Sequence, residues 1–381
     1  MVPEGWATTS IGSAVQVGRG FAFKSEQYRD AGHPILRVSN ISEDGAISNQ
    51  DDWKYIDPSE VSDFARYALN DLDILIVMVG ATTGKLGFVS NKDLPALLNQ
   101  NMWSLRAKES KGLSQRYFRY IARGVVDRFL STMQGSARGF LRQSDFSKQT
   151  FTIPPLAEQR KIADILSTWD AAIEKTEALL ATAKAQKRAL MQSLLTGKRR
   201  FPEFEGLPWK TGEFADLFVV ANEKKAQVNK RDYLPEGETP VVDQGQEFIV
   251  GYTNHAQKYY DVPVIIFGDH TRALKWVDFE FCPGADGTQL LKTTSKLDQR
   301  FGYYMLQNLE LPNLGYSRHM RELKQSVFDY PATPEEQKQL AAVFSEADSE
   351  ILFLEVSITK LRAEKKALMQ QLLTGKRRVA V

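Results

Sequence analysis

One stretch of the chain begins with Glu158-Gln159-Arg160 and ends with Leu194-Leu195-Thr196-Gly197-Lys198-Arg199-Arg200. The chain repeats this stretch from Glu336-Gln337-Lys338 to Leu372-Leu373-Thr374-Gly375-Lys376-Arg377-Arg378. The two copies align without a gap, because Glu158 matches Glu336 and Arg200 matches Arg378 at one constant offset. A repeat of this length is an architectural unit rather than a short-period solenoid.

Both copies are predicted to be long helices. Their apolar residues recur at alternating spacings of four and three, as in Ile162, Leu166, Trp169 and Ile173, or Leu340, Phe344, Ala347 and Ile351. This heptad pattern favours lengthwise packing of one helix on another. Each helix is expected to have about 38 residues and a length on the order of 57 Å at 1.5 Å per residue.

Local signals agree on where these helices begin and end. Thr333-Pro334-Glu335-Glu336 predicts a capping box at the start of the second copy, and Gly197 and Gly375 lie where a left-handed C-cap is expected. Lys187 and Lys365 interrupt the apolar stripe at equivalent positions, and we expect both to snorkel toward solvent near a helix end.

Composition limits the class of protein. A chain of 381 residues predicts two or three domains. The longest apolar run, residues 74–79, is much shorter than the roughly 18 residues of a membrane span, and the N-terminal residues have no signal-peptide pattern. A single cysteine, Cys282, suits a reducing compartment, so we expect a cytoplasmic protein. The net charge of +2 is nearly balanced, so a basic surface requires charges that segregate by face.

Two globular regions alternate with the two helices. The predicted divisions are a first domain at 1–153, a first helix at 154–200, a second domain at 201–331 and a second helix at 332–381. Strands are expected at 35–38 and 71–79 and a helix at 113–133, and residues 261–268 repeat the second of these strands. Gly315-Tyr316-Ser317-Arg318 likewise matches Gly135-Ser136-Ala137-Arg138.

Chain order then predicts the topology. With a short connection at each junction, the second helix must run antiparallel to the first and end near the start of the chain. We therefore expect an α+β fold: two mixed α/β domains at opposite ends of an antiparallel coiled-coil pair, arranged as a closed ring with an internal pseudo-twofold repeat.

The sequence contains no convincing catalytic motif. Residues 80–86 have three residues between their glycines instead of the four of a phosphate loop, and Leu86 replaces the Ser/Thr that binds magnesium, so a turn between strands is favoured. Four scattered histidines and one cysteine give no metal-ligand spacing. We therefore expect a chain that is not an enzyme and binds no cofactor or metal.

The repeated Glu-Gln-Arg/Lys helices ending in Leu-Leu-Thr-Gly-Lys-Arg-Arg resemble those of the DNA-specificity subunit of type I restriction-modification systems. The resemblance covers essentially the whole chain and includes Ile153-Pro154-Pro155-Leu156-Ala157-Glu158-Gln159. It implies two target-recognition domains that each read a half-site, separated by spacer helices, and hence an asymmetric bipartite target in double-stranded DNA. It also implies two methylation subunits, which supply S-adenosylmethionine and adenine-N6 chemistry, and two restriction/translocase subunits that use ATP and Mg.

Base readout in the major groove requires donors and acceptors such as Arg, Asn and Gln, usually on loops after strands. Our candidates in the first domain are Lys24, Arg37, Asn40, Thr82, Thr83, Lys85, Asn99, Gln100 and Arg138. Those in the second are Gln244, Gln246, Asp269, His270, Thr271, Arg272, Lys275, Thr288, Arg318 and His319. Arg138 and Arg318 are favoured because they occupy the same place in the repeat, although arginine contacts phosphates more often than bases.

Two other hypotheses remain open at this stage. One is a non-catalytic adaptor, with two protein-binding domains held apart by a coiled-coil ruler. The other is an enzyme of an unrecognised kind, which the missing catalytic motifs disfavour. Enrichment of a split DNA motif would separate the DNA-reading hypothesis from the adaptor.

Overall fold

The computed structural model describes residues 2–48, 52–133, 140–255, 257–312, 315 and 317–380. It divides into two compact units. Unit 1 comprises Met1–Glu174 with Thr359–Val381, and unit 2 comprises Lys175–Ile358. Each long helix therefore contributes residues to both units.

Eight α-helices are present in the described residues. In chain order they are α1 (Ile11–Ala14), α2 (Gln115–Thr132), α3 (Gln143–Ser147), α4 (Leu156–Leu194), α5 (Phe214–Leu217), α6 (Gln299–Asn308), α7 (Met320–Lys324) and α8 (Pro334–Leu372). The repeated stretches form α4 and α8, which have 39 residues each, so the two predicted long helices are confirmed.

The strands of unit 1 are β1 (Ala7–Ser10), β2 (Val15–Arg19), β3 (His33–Leu36), β4 (Lys54–Ile56), β5 (Ile74–Val77), β6 (Leu86–Phe88), β7 (Leu97–Leu98), β8 (Met102–Ala107) and β9 (Thr150–Ile153). Those of unit 2 are β10 (Trp209–Glu213), β11 (Phe218–Val220), β12 (Thr239–Val242), β13 (Gly251–Thr253), β14 (Val264–Gly268), β15 (Leu274–Val277), β16 (Cys282–Pro283), β17 (Thr288–Thr293) and β18 (Val327–Pro331).

The two units repeat one topology strand for strand. Unit 1 has sheets with the orders β2-β8-β5-β6, β4-β3-β7 and β1-β9, and unit 2 has β11-β17-β14-β15, β13-β12-β16 and β10-β18. The β3–β7 pair of unit 1 and the equivalent β12–β16 pair of unit 2 are parallel, while the other pairs are antiparallel. The predicted repetition of the globular regions in outline is therefore confirmed.

In unit 1 the core lies where a sheet, α2 and the two long helices meet. Strand β5 is buried at every position, and one face of α2 buries Tyr117, Phe118 and Phe129, as its apolar spacing predicts. Ile162 and Leu166 of α4 pack in the same cluster as Leu372 of α8. The strand predicted at 35–38 ends earlier, because residues after Leu36 turn into a short 3-10 helix.

In unit 2 the core has the same plan. Phe267 of β14 and Phe301 and Tyr304 of α6 pack with Phe344 of α8 and Leu194 of α4. In both units the long helices therefore complete the core of the globular part. Burial of their apolar stripe stabilises the helices and the globular part together.

The long helices pair in antiparallel orientation within each unit. In unit 2, Lys184 lies 2.7 Å from Glu355 and Lys187 lies 2.5 Å from Asp348. Residue numbers therefore rise along α4 as they fall along α8. In unit 1, Glu158 pairs with Arg378 and Asp170 pairs with Lys365, so residue numbers again rise on one side as they fall on the other. The predicted antiparallel direction is confirmed, but the predicted snorkelling of Lys187 and Lys365 is wrong, because each lysine has an acidic partner on the facing helix.

The glutamate of each Glu-Gln motif binds the final arginine of the other copy. Glu336, which is 1% exposed, receives two bonds from Arg200 at 2.9 and 2.6 Å, and Glu158, which is 2% exposed, receives two from Arg378 at 2.7 Å each. Arg378 also donates to the Glu4 carbonyl at 2.6 Å, which brings the end of α8 beside the start of the chain, as chain order predicts.

The helix ends differ in how well the sequence predicted them. Gly197 and Gly375 have φ values of 67° and 69°, so the left-handed C-caps are confirmed. The capping box at Thr333 is wrong: its buried hydroxyl has no hydrogen-bond partner among the described residues, and Glu336 is bound by Arg200 instead.

The glutamine of each motif connects a long helix to the globular part of its unit. Gln159, fully buried, accepts from Ser114 N at 2.9 Å and donates to the carbonyls of Gly112 and Pro154 at 2.7 and 2.8 Å. In unit 2, Gln337 accepts from Asp298 N and donates to the Lys296 and Pro331 carbonyls. A buried amide with all these bonds made fixes the helix against the start of α2 or α6.

Candidate nucleic-acid interface

In unit 1 the loop between β5 and β6 presents three candidates. The Thr83 amide and hydroxyl both donate to the Gly80 carbonyl, at 3.1 and 2.6 Å, and Lys85 N donates to the Thr82 carbonyl at 2.9 Å. Thr82 is exposed, whereas Lys85 forms an ion pair with Glu43 at 2.8 Å. The loop joins two antiparallel strands and not a strand to a helix, which confirms the predicted turn.

The turn between β7 and β8 lies beside this loop, because Met78 N donates to the Asn101 carbonyl at 2.9 Å. Gln100 is exposed, whereas Asn99 is 7% exposed and donates to the Tyr28 hydroxyl at 3.0 Å. A Cβ on Gly20 would lie 1.7 Å from the Asn99 carbonyl oxygen, so only glycine permits this close approach of two backbones.

Leu141, which follows the undescribed segment 134–139, donates to the Met78 carbonyl at 2.8 Å. The chain therefore returns to the β5–β6 loop at this point. Arg138 itself lies outside the described residues. Nearby, Arg19 donates to the Gln143 side chain at 2.8 and 3.1 Å.

The remaining unit 1 candidates belong to the part of the chain around β3. Asn40 is buried and its side chain accepts from the Arg37 amide at 2.8 Å. The Arg37 guanidinium lies 2.7 Å from the Asp52 carboxylate. A hydrogen bond from Ser39, and then the charge of Arg37, hold the pKa of Asp52 below its usual range. Lys24 is exposed.

In unit 2 one glutamine joins three loops. The Gln244 side chain accepts from His270 N at 3.0 Å and donates to the Asp286 carbonyl at 2.8 Å. Its own carbonyl accepts from the Thr271 hydroxyl. The loops after β12, β14 and β16 therefore meet at Gln244.

A fourth segment, the start of α7, joins the same cluster. His319 N donates to the Asp269 carbonyl at 2.8 Å, and Met320 N donates to the Asp269 carboxylate at 2.7 Å. His270 Nδ1 lies 3.2 Å from the Ser317 carbonyl oxygen. Asp269 and His319 are buried, whereas Arg318 between these contacts is exposed.

Lys275 binds two carbonyl groups of the loop after β12, which carries Gln244. It is 5% exposed, and its Nζ donates to the Asp243 carbonyl at 2.7 Å and to the Glu247 carbonyl. Burial lowers the pKa of Lys275, although the carboxylates of Asp243 and Glu247 oppose this shift. The two carbonyl contacts shape the loop that carries Gln246, which is exposed.

Two candidates lie at the edge of this cluster. Arg272 has a φ of 59°, in the left-handed region that is uncommon outside glycine, and its guanidinium donates to the Leu311 carbonyl at 3.0 Å. Thr288 is 1% exposed, and its hydroxyl has no hydrogen-bond partner among the described residues.

The contacts of the unit 2 cluster thus bring together five of the ten candidates predicted there, and its loops also carry Gln246 and Arg318. The five are Gln244, Asp269, His270, Thr271 and His319. In unit 1 the Thr82 and Gln100 loops meet, whereas Arg37 and Asn40 are built into a separate turn. Asn101, which was not among the named candidates, is an exposed residue with a φ of 69° in the turn between β7 and β8. Asparagine's tolerance of that conformation was the available signal.

Within the described parts of the chain, no group of three or more His, Cys, Asp or Glu side chains is arranged to hold a metal ion. No described helix is both long and apolar enough to span a membrane.

Comparison with known proteins gives consistent matches. Residues 3–184 match the family model of the type I restriction modification DNA specificity domain. The chain is 23% identical to the putative type I restriction enzyme MjaX specificity subunit of Methanocaldococcus jannaschii, over 99% of this chain and 95% of that protein. It is 27% identical to the EcoAI specificity subunit of Escherichia coli over 51% of this chain and 33% of that protein.

A solved structure has the same fold. The type I restriction-modification S subunit of M. genitalium superposes with a TM-score of 0.69 at 14% identity, over 97% of this chain and 96% of that one. The family model covers the first unit's globular part and much of α4, and the MjaX relative extends the similarity to nearly the whole chain. Together with the internal repeat, these matches make the chain similar, over nearly its whole length, to type I restriction-modification DNA specificity subunits.

Proposed function

We propose that the chain is the non-catalytic subunit that reads an asymmetric, bipartite DNA target for a type I restriction-modification complex. Residues 1–153 and 201–331 act as two recognition domains, and the helices at 154–200 and 332–381 set the gap between their half-sites. The observation that carries this proposal is one topology used twice with different polar loops at corresponding strand ends.

The loops differ in a way that supports different half-sites. Unit 1 presents Thr82 in the loop between β5 and β6 and Gln100 in the turn between β7 and β8. Unit 2 presents Gln246 and Arg318 on the loops that meet at Gln244. Amide and guanidinium groups match the major-groove edges of adenine and guanine. Because these groups are unlike in the two units, the two half-sites should be unlike in sequence.

Burial divides the candidates into readers and supports. Exposed side chains free to approach a base edge belong to the readers, and we assign Lys24, Thr82, Gln100, Gln246 and Arg318 to this class. Buried side chains that already bind protein groups support the loops instead, and we assign Asn40, Asn99, Asp269, Lys275 and His319 to that class. The remaining candidates stay as proposed contacts.

The long helices also offer a surface for partner subunits. In unit 2, Leu352, Phe353 and Val356 of α8 are 57–70% exposed, and Leu179 of α4 is 51% exposed. Large apolar side chains in such a group favour a protein partner. We propose that two methylation subunits and two restriction/translocase subunits assemble on this chain, and that S-adenosylmethionine, ATP and Mg bind to those partners. The methylation subunit would flip the target adenine.

The proposal is tested by selection from a random duplex library with the full chain and its methylation partner. Enrichment of a motif with two unlike half-sites and a fixed gap is expected. Enrichment of no split motif would refute the proposal. A matched selection with the methylation partner alone controls for binding by that partner.

A further inference from the structure

Each long helix places one lysine in its apolar stripe, and in unit 2 this lysine belongs to a polar cluster. Lys187 of α4 donates to Asp348 of α8 at 2.5 Å and to Gln307 at 2.9 Å. The Tyr304 hydroxyl, on α6, donates to the other oxygen of Asp348 at 2.8 Å. Lys187 Nζ also lies 5.3 Å from the centre of the Tyr304 ring. We call Lys187, Asp348 and Tyr304 pin 2.

Unit 1 builds the same cluster with the helices exchanged. Here the lysine, Lys365, is on α8 and the carboxylate, Asp170, is on α4. The Tyr120 hydroxyl, on α2, donates to the second oxygen of Asp170 at 2.7 Å, and Lys365 Nζ lies 5.6 Å from its ring centre. We call Lys365, Asp170 and Tyr120 pin 1.

The two pins occupy equivalent places in the repeat. The lysines match at the same offset that relates Glu158 to Glu336, and so do the two carboxylates. The tyrosines are both the sixth residue of their helix, counting from Gln115 in α2 and from Gln299 in α6. The same three groups meet in both units although the globular sequences differ.

Stability alone does not account for a charge in this stripe. The Lys187 side chain is only 10% exposed, and a well-packed apolar side chain at such a position is often as stabilising as an ion pair or more so. Buried polar residues in helix seams are best known for fixing register. A slip of one heptad would move each lysine about 10 Å from its carboxylate, at 1.5 Å per residue.

The tyrosines extend this restraint beyond the helix pair. Since Tyr304 lies on α6 and Tyr120 on α2, each pin joins α4, α8 and the globular part of its unit at one point. We propose that the two pins are positioning elements that fix the axial register of α4 against α8 and the place of each recognition domain on that pair, and thereby determine which gap between half-sites is accepted. This inference rests on the proposed function and deepens it.

The test compares gap preference in charge-exchanged variants. Duplexes carry the selected half-sites with the selected gap or with one base pair more or fewer, and binding is measured with the full chain and its methylation partner. The readout is the ratio of Kd for the altered gap to Kd for the selected gap. Lys187→Asp and Asp348→Lys should each lower this ratio by about tenfold, within the range of typical coupling between sites. The double exchange should restore it.

Lys184→Glu provides a matched control. Lys184 pairs with Glu355 across the same helices at 2.7 Å, but both side chains are about half exposed, so its loss should leave the ratio unchanged. Tyr304→Phe, which keeps the ring, is the milder variant if a single charge exchange does not fold by circular dichroism, and it should also lower the ratio.

The outcomes separate this inference from the proposed function. If the unchanged chain binds no split target, the proposed function is wrong. If it selects one gap and the folded pin variants keep the same ratio, the pins serve stability only and the inference is overturned. A lowered ratio that the double exchange does not restore also overturns it, because the charge pair would then not be the cause.

Discussion

Arg200→Ala should destabilise unit 2 far more than the loss of an ordinary surface ion pair. Arg200 makes two bonds to the Glu336 carboxylate, at 2.9 and 2.6 Å, and that carboxylate is 1% exposed. Removal of the arginine leaves a buried charge without a counter-ion, which typically costs about 3–5 kcal/mol. For a domain of roughly 150–250 residues, each kcal/mol lowers Tm by roughly 2–4 °C. A decrease of roughly 6–20 °C is therefore expected.

Differential scanning calorimetry of the full chain measures this change. Adding Glu336→Gln to Arg200→Ala should recover more than half of the lost Tm, because the neutral amide removes the unpaired charge. Lys184→Ala is the matched control: the Lys184–Glu355 pair is about half exposed and should contribute at most about 1 kcal/mol.

The counterpart in unit 1 gives an internal comparison. The Arg378 side chain is 44% exposed, against 14% for Arg200, so water can reach the Glu158 site once the guanidinium is gone. Arg378→Ala should therefore lower Tm less than Arg200→Ala. The reasoning is refuted if Arg200→Ala destabilises no more than Lys184→Ala, or if Glu336→Gln brings no recovery.

Three further predictions concern single side chains. Gln337→Leu should lower the free energy of unfolding by more than about 2 kcal/mol in urea titrations, because the partly buried Asp298 amide and the Lys296 and Pro331 carbonyls lose this partner. A change under about 0.5 kcal/mol would contradict the role of this glutamine. Burial raises the pKa of Tyr304 to about 12, so the stability that its neutral form contributes is complete below about pH 10 and is lost as pH rises toward 12. Urea midpoints at pH 8 and pH 11 should therefore differ less in Tyr304→Phe than in the unchanged chain, and an equal difference would argue against this. Arg318→Ala should weaken DNA binding by about 1–3 kcal/mol and relax preference at one position if the arginine contacts guanine, or weaken all sequences alike if it contacts a phosphate; unchanged binding on a panel of single-base variants would exclude both roles.

The helical framework is predictable from sequence because an apolar pattern that is sustained over many residues identifies a long helix. A heptad stripe repeated at one offset predicts α4 and α8, and chain order with short connections predicts their antiparallel direction. The capping glycines follow from the same alignment. Helix existence and direction are local and topological properties, so they need no knowledge of side-chain partners.

The errors arose where a partner on another element decides the outcome. Snorkelling was expected for Lys187 because it lies near a helix end, yet Asp348 on α8 faces it. The capping box failed for the same reason, because Arg200, which follows the end of α4, binds Glu336. A pattern within one helix does not reveal what the facing helix presents.

The candidate interface has the same limit. Loops after strands were correctly expected to gather polar groups, and the Gln244 cluster does gather them. Whether a side chain is exposed like Gln246 or buried like Lys275 depends on how loops from distant parts of the sequence meet. Residue type alone therefore could not separate readers from supports.

Genome-wide mapping of adenine methylation, in a host that carries this chain with its methylation partner, tests the proposed function most directly. The account predicts one methylated motif with two unlike half-sites and a gap of constant length, absent from the host without this chain. Methylation that follows a single uninterrupted motif, or that is the same with and without the chain, would contradict it.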